Sequence, residues 1–143
     1  MNDWSIGDLL CAAPASCDSH QGNQVGWWQT ILWADGFLNK CGGQGVDGIF
    51  GAYTKQQTTA WQSLYGGSGG AVGSQTRAAA REFVVYDSSD PPRYFFHYIG
   101  AATRYPKYVK WSDSDPHVWY FSPAADPLAS YTTNHSTFAF TTC

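Results

Sequence analysis

Four cysteines, four histidines, a lone glutamate and one glycine-rich loop are where this 143-residue chain could carry chemistry. The loop runs Gly45-Val46-Asp47-Gly48-Ile49-Phe50-Gly51 and leads into Ala52-Tyr53-Thr54. A phosphate-gripping loop ends Gly-Lys-Ser/Thr, and here Lys55 follows Thr54 instead. A calcium loop needs several acidic ligands and a closing glutamate, whereas this one offers only Asp47. Glycoside hydrolysis uses two flanking carboxylates, and no aspartate is spaced to partner Glu82. His97, His117 and His135 with Asp113 or Asp115 could make a zinc site only through a tertiary arrangement that their spacing does not indicate. The one G-x-S-x-G match, Gly66-Gly67-Ser68-Gly69-Gly70, is a glycine run after a helical pattern, not the strand-to-helix elbow of a serine nucleophile. The expectation is a chain without catalytic residues, bound metal or cofactor.

Cys11, Cys17, Cys41 and Cys143 form no C-x-x-C pair. Their even number fits two disulfides in an oxidising compartment, and reduced buried thiols are the alternative. Three connectivities are open; the preferred one joins Cys41 to Cys11 or Cys17 across the first helix and leaves Cys143 to fasten the carboxyl terminus. Even pairing also leaves no thiol for a cysteine nucleophile. Charged residues make up 13% of the chain, against ~25% in ordinary soluble proteins, while aromatics reach 17%. That many rings argue for a packed chain. A formal charge of −3 with scattered lysines and arginines gives no footprint for nucleic acid or anionic lipid. No apolar run approaches the length of a membrane span. Met1 is followed by Asn2-Asp3-Trp4 rather than a basic and then apolar leader, so no signal peptide is expected in this chain; a secreted protein would be represented here by its mature form with an added Met, or would leave by another route.

The positioning elements follow from periodicity. Val25, Trp28 and Leu32, then Gly36, predict an apolar helical stripe with a terminating glycine. A second helix is expected from near Thr54, with Thr58, Trp61 and Leu64 or Tyr65 on one face. A third is expected from near Thr76, with Ala79, Ala80 and Phe83 inward. The predicted organisation is an arm (1–23), a helical domain (24–85), a turn-rich linker (86–92) and a β-rich module (93–143). The linker contains Asp87-Ser88-Ser89-Asp90-Pro91-Pro92. Strands are expected at 93–99, 105–111, 117–121 and 136–142, with a hairpin joining the middle two and Pro106 marking an edge.

The last two helices share a repeat. Asp47-Gly48-Ile49-Phe50-Gly51-Ala52-Tyr53-Thr54 aligns with Gly69-Gly70-Ala71-Val72-Gly73-Ser74-Gln75-Thr76, an offset of 22 residues (47 to 69). Physically this is a turn with φ > 0 at the first glycine, an apolar plug, a second glycine and a threonine at or near the helix cap. Taken with Val25, Trp28-Gln29, Leu32 and Gly36 before it, and Thr58, Trp61-Gln62, Ala79 and Phe83 beside it, the 24–84 segment resembles the three-helix peptidoglycan-binding domain of bacterial cell-wall hydrolases and their phages. Trp28, Trp61, Gln57 and Gly69 depart from the family's usual Leu, Phe, Ala and Asp. The resemblance implies a three-helix domain here; with the predicted strands and cysteine pairing, the expected fold is an α+β, disulfide-stapled chain in which that domain precedes a small antiparallel β module. It also implies non-catalytic binding of peptidoglycan, through glycan strand or stem peptide, in a secreted, wall-associated or virion-associated protein.

Trp28 and Trp61 read as core, and Gly48, Gly51 and Thr54 as turn-shaping residues; Asp47 either caps the loop or touches ligand. The contact candidates are Gln29, Tyr53, Gln62, Tyr65 and Asp47, since phenols and amides suit an N-acetyl sugar or a peptide. The strand region resembles no known family. Its Tyr94, Phe96, Tyr98, Tyr108, Trp111, Trp119 and Phe121 either pack on the helices or form a second face for glycan or a protein partner. The other function classes are accordingly an assembly module using that face and a small wall hydrolase with its site in the carboxyl half.

Overall fold

A computed structural model of the chain describes residues 9–111, 120–121 and 131–132. Three helices come first: α1 (Asn23–Ala34), α2 (Ala52–Tyr65) and α3 (Ser74–Arg81). An antiparallel sheet follows, built from β1 (Val84–Asp90), β2 (Arg93–Tyr98), β3 (Lys107–Trp111), β4 (Tyr120–Phe121) and β5 (Tyr131–Thr132), in spatial order β1-β2-β3-β4-β5. The mixed α+β class is as expected. Among the described residues, no helix is long and apolar enough to cross a membrane.

Helix α1 ends where its glycine predicts. Gly36 adopts φ 87. The Phe37 N–H bonds the Leu32 carbonyl at 2.8 Å, and the Gly36 N–H bonds that of Trp33 at 3.0 Å. These two bonds form a Schellman motif, which satisfies carbonyls left over at the helix end. The other helices begin earlier than predicted: Gly51 and Gly73 occupy the cap positions, in extended backbone, so Thr54 and Thr76 lie within the first turn. The repeat itself holds: Gly48 and Gly70 both take positive φ, 77 and 75, and the plugs Phe50 and Val72 are both buried.

Two expectations are corrected. Residues 86–92 are not a linker: Tyr86–Asp90 belong to β1, and Asp90 pairs with Arg93 across a Pro91-Pro92 turn. Prolines supply no ladder N–H, yet at the hairpin tip none is needed. Strand β1 is an edge strand exposed along most of its length, which explains its polar composition. Strand β3 lies inside the sheet between β2 and β4, and Pro106 stands just before it, its carbonyl accepting from the Tyr98 N–H at 2.9 Å. The expected β3–β4 antiparallel pairing is present. The strand expected at 136–142 lies outside the described residues.

The second correction concerns the cysteines. Cys11 is joined to Cys17, and Cys41 is itself disulfide-bonded. The arm folds back tightly, with the Asp18 and Ser19 N–H groups both reaching the Leu9 carbonyl and the Cys11 N–H reaching that of Ser19. That closure places Cys11 and Cys17 side by side on the amino-terminal side of α1.

One core joins the helices and the sheet. Trp28, Ile31, Leu32 and Trp61 pack in a single cluster with Phe96, Tyr98, Tyr108 and Phe121. Ring neighbours run through it: Trp28–Trp61 at 5.0 Å, Trp61–Tyr65 at 4.9 Å, Tyr65–Phe83 at 5.3 Å and Phe83–Tyr98 at 6.0 Å. A polar tie between helices and sheet is Asp35, just past the end of α1. It accepts from Trp61 Nε1 at 2.7 Å, from the Tyr98 hydroxyl at 2.6 Å and from the Ala101 N–H at 2.9 Å. The loop after β2 presses against the same helix end. Ala102 N–H bonds the Ala34 carbonyl, and a Cβ on Gly100 would stand 2.3 Å from that oxygen. Arg104 donates to the Trp33 carbonyl at 2.7 Å and lies over the Trp33 ring, a cation placed well for a helix carboxyl end.

Burial, then the nearby Asp35 charge, raises the ionisation of Tyr98 far above its usual range, and the same two causes raise Tyr108 and Tyr65. An unfolded tyrosine ionises near pH ~10. Above that pH the unfolded chain binds fewer protons than the folded one, so stability that is complete below ~10 falls as pH rises further. Urea midpoints measured from pH 8 to 11.5 should show this alkaline decline. Tyr98→Phe should flatten it while costing about 1–2 kcal/mol at neutral pH for the lost bond to a carboxylate; an unchanged alkaline limb would refute the assignment.

Candidate functional site

The chemistry-bearing residues of the helical part are organised around two glutamines. Gln29 is fully buried on α1. Its amide nitrogen donates to Asp47 Oδ1 at 3.0 Å, to the Ile49 carbonyl at 2.9 Å and to Thr54 Oγ1 at 3.0 Å. Its oxygen accepts from the Asp47 and Gly48 N–H groups at 3.0 and 2.8 Å. Gln62 on α2 treats the next loop in the same way: its nitrogen reaches the Ala71 carbonyl at 2.8 Å and Thr76 Oγ1 at 3.0 Å, and its oxygen takes the Gly70 N–H at 2.9 Å. Each helix therefore holds, through one buried amide, the turn and the threonine that start the following helix.

This geometry corrects the expected roles of Gln29 and Gln62. Neither amide faces solvent, and both are consumed within the fold. Only a primary amide supplies donors and an acceptor together at one buried point, which is why glutamine follows the large apolar residue in both helices. Asp47 is half-buried; its Oδ1 also accepts from the Ile49 N–H at 3.0 Å, closing the turn. Gly69 takes the equivalent place in the second copy, and Gln62 accordingly has no carboxylate to hold. Thr58 completes the interior by accepting from Trp28 Nε1 at 2.9 Å.

Of the expected contact residues, Tyr53 and Tyr65 keep exposed surface, as does Asp47 in its loop; the two tyrosines belong to α2. They stand on different sides of α2. Tyr65 rests between Trp61 and Phe83, whereas Tyr53 heads a stripe at helical spacing with Gln57, Ala60 and Leu64. Tyr53, Gln57 and Ala60 are half-buried, and Leu64 is 68% exposed. Sequence reasoning passed over Gln57 and placed Leu64 as an alternative to Tyr65 on the core face. The i, i+4, i+7, i+11 spacing from Tyr53 was the available signal.

In the sheet, Phe96, Tyr98, Tyr108 and Phe121 are buried against the helices. For these rings the packing alternative is the observed one. Trp119, His117, His135, Asp113 and Asp115 lie outside the described residues. His97 meets Asp87 instead, Nδ1 to Oδ1 at 2.6 Å, at the bulge of β1. Glu82 is exposed at the end of α3.

Comparison with family models, with curated proteins and with solved structures finds no match.

The clamp assignment predicts a graded loss of stability. Gln62→Ala leaves the buried Gly70 N–H without its acceptor and should cost about 1–3 kcal/mol. Gln29→Ala abandons more partners and should cost more. Urea unfolding of both variants measures this, and a Gln29→Ala protein as stable as the parent would contradict the clamp.

Proposed function

We propose that this chain is a non-catalytic module that binds bacterial cell-wall peptidoglycan outside the cell. The observation that carries the reading is the doubled glutamine clamp. It gives a structural purpose to Gln29, Asp47, Gly48 and Thr54, and again to Gln62, Gly70 and Thr76, the residues by which the 24–84 segment resembles the three-helix peptidoglycan-binding family. Disulfide bonding of Cys11, Cys17 and Cys41 supports an oxidising location.

Since the clamps are spent on the fold, the binding surface is assigned to the Tyr53, Gln57, Ala60 and Leu64 stripe of α2, with Tyr65 on the neighbouring side. A phenol ring beside an amide suits the polymer's N-acetyl groups, since the ring covers an apolar sugar face and the amide both donates and accepts. Leu64 adds exposed apolar area at low stability cost when changed.

Co-sedimentation with purified sacculi tests the proposal. The parent protein should pellet at low and moderate salt. Gln57→Glu and Leu64→Ser should each weaken binding roughly fivefold, about 1 kcal/mol, with unchanged melting temperature. Recovery of all the parent protein in the supernatant would sink the reading; retained binding by both variants would move the site off this stripe.

A further inference from the structure

Outside the helices, one cluster gathers three side chains able to ligate metal. Cys11 Sγ, Cys17 Sγ and the ring nitrogen of His20 all lie within 4.8 Å of one another. His20 Nδ1 stands 3.7 Å from the sulfur of Cys11 and 3.6 Å from that of Cys17. In a tetrahedral zinc site, Zn–S distances near 2.3 Å and Zn–N distances near 2.0–2.1 Å put sulfur and nitrogen about 3.5 Å apart. Both nitrogen–sulfur edges of such a tetrahedron are thus already in place. In this oxidised form the two sulfurs are bonded to each other, which withholds them from a metal.

We infer that Cys11, Cys17 and His20 form a redox-gated site for a thiolate-seeking divalent metal such as zinc, closed as the disulfide and opened by a thiol reductant. The backbone that aims these residues does not depend on the sulfur–sulfur bond. Leu10 exchanges two hydrogen bonds with Val72, at 3.1 and 2.8 Å, and the Cys11 N–H bonds the Ser19 carbonyl. The His20 carbonyl accepts from the Phe50 N–H at 2.8 Å, and Asp18 Oδ2 accepts from the Leu9 N–H at 2.8 Å. Both ends of the 11–20 loop are therefore fastened to the loops that Gln29 and Gln62 hold. Reduction has to widen only the sulfur–sulfur edge of the tetrahedron.

Burial decides the order of events. Cys11 is 4% exposed while Cys17 and His20 are half-buried. A thiolate R–S⁻ attacks Cys17 Sγ, forming a mixed disulfide and releasing Cys11 as a thiolate that carries the electron pair. His20 Nδ1, which sits 3.0 Å from the Cys11 carbonyl, can turn its proton to that departing sulfur. A second R–S⁻ attacks the reductant's sulfur in the mixed disulfide and frees Cys17, leaving R–S–S–R. The sum is one protein disulfide and two R–SH giving two cysteine thiols and one R–S–S–R. Zinc then displaces both thiol protons to solvent. His20 binds it through the Nδ1 lone pair as the Nε2–H tautomer, and the fourth position falls to water.

Cobalt(II) reports on such a site because its thiolate complexes absorb in the near ultraviolet. The full chain, reduced with a water-soluble phosphine and freed of it without air, should bind one cobalt per chain with that absorption, and zinc should displace it. The oxidised chain should give none. Cys11→Ser with Cys17→Ser should abolish the band, and a band that persists would assign it to Cys41 and Cys143. His20→Ala should weaken cobalt binding by more than the roughly 10–100-fold that loss of an outer-shell partner costs; unchanged affinity would remove His20 from the site. Far-ultraviolet circular dichroism of the reduced chain completes the test. Retained helix is expected, and an unfolded chain, or a folded one without the absorption, overturns the inference.

Discussion

Helix α1 has almost no solvent-facing side. Every residue from Asn23 to Ala34 except Trp33 is buried, so each polar group it carries must find its partner inside the protein. That requirement organises everything around it. Gln29 turns to the loop before α2, Thr30 bonds the Gly26 carbonyl at 2.8 Å, Gln24 accepts from Arg77 of α3 at 2.9 Å, and Trp28 Nε1 reaches Thr58 of α2. Where α1 ends, Asp35 draws a tryptophan of α2, a tyrosine of β2 and a backbone amide of the following loop onto one carboxylate. A carboxylate at a helix carboxyl end is disfavoured by the helix dipole, and three donors offset that cost.

Covering α1 on all sides also sets the relation between the helices and the sheet. A unit of ~60 residues buries only ~60% of the surface its unfolded chain exposes, so a helix buried on all sides gains from cover beyond the other two helices. The sheet supplies that cover through Phe96, Tyr98, Tyr108 and Phe121. The chain therefore reads as two regions by composition and folds around one core. The turn-rich 86–92 segment, which looks like a boundary, is the outer hairpin of the covering sheet.

The clamps show how a binding-type residue can be captured by architecture. From the sequence, Gln29 and Gln62 read as contact residues for an N-acetyl sugar or peptide, beside tryptophans that read as core. In the fold each amide is the device that fixes a glycine turn and places a threonine at the start of a helix. The expected surface residues divide along the same line: Tyr53 and Tyr65 retain surface, while Gln29 and Gln62 are interior.

The sequence by itself determined the three helices, the 22-residue repeat (47 to 69) with its positive-φ glycines, the apolar plugs and the antiparallel character of the carboxyl region. Those follow from local rules: helical periodicity, glycine's backbone freedom and the β preference of aromatic residues. Tertiary structure alone decided that Cys11 meets Cys17, that Thr54 and Thr76 are acceptors within the first turn rather than caps, that Gln29 and Gln62 point inward, and that Asp35 joins helix to sheet. The physical reason is that each of these depends on which groups burial brings within hydrogen-bonding or bonding distance. Gln29 meets Thr54 across 25 positions and Tyr98 meets Asp35 across 63, separations over which no local pattern in the chain carries information.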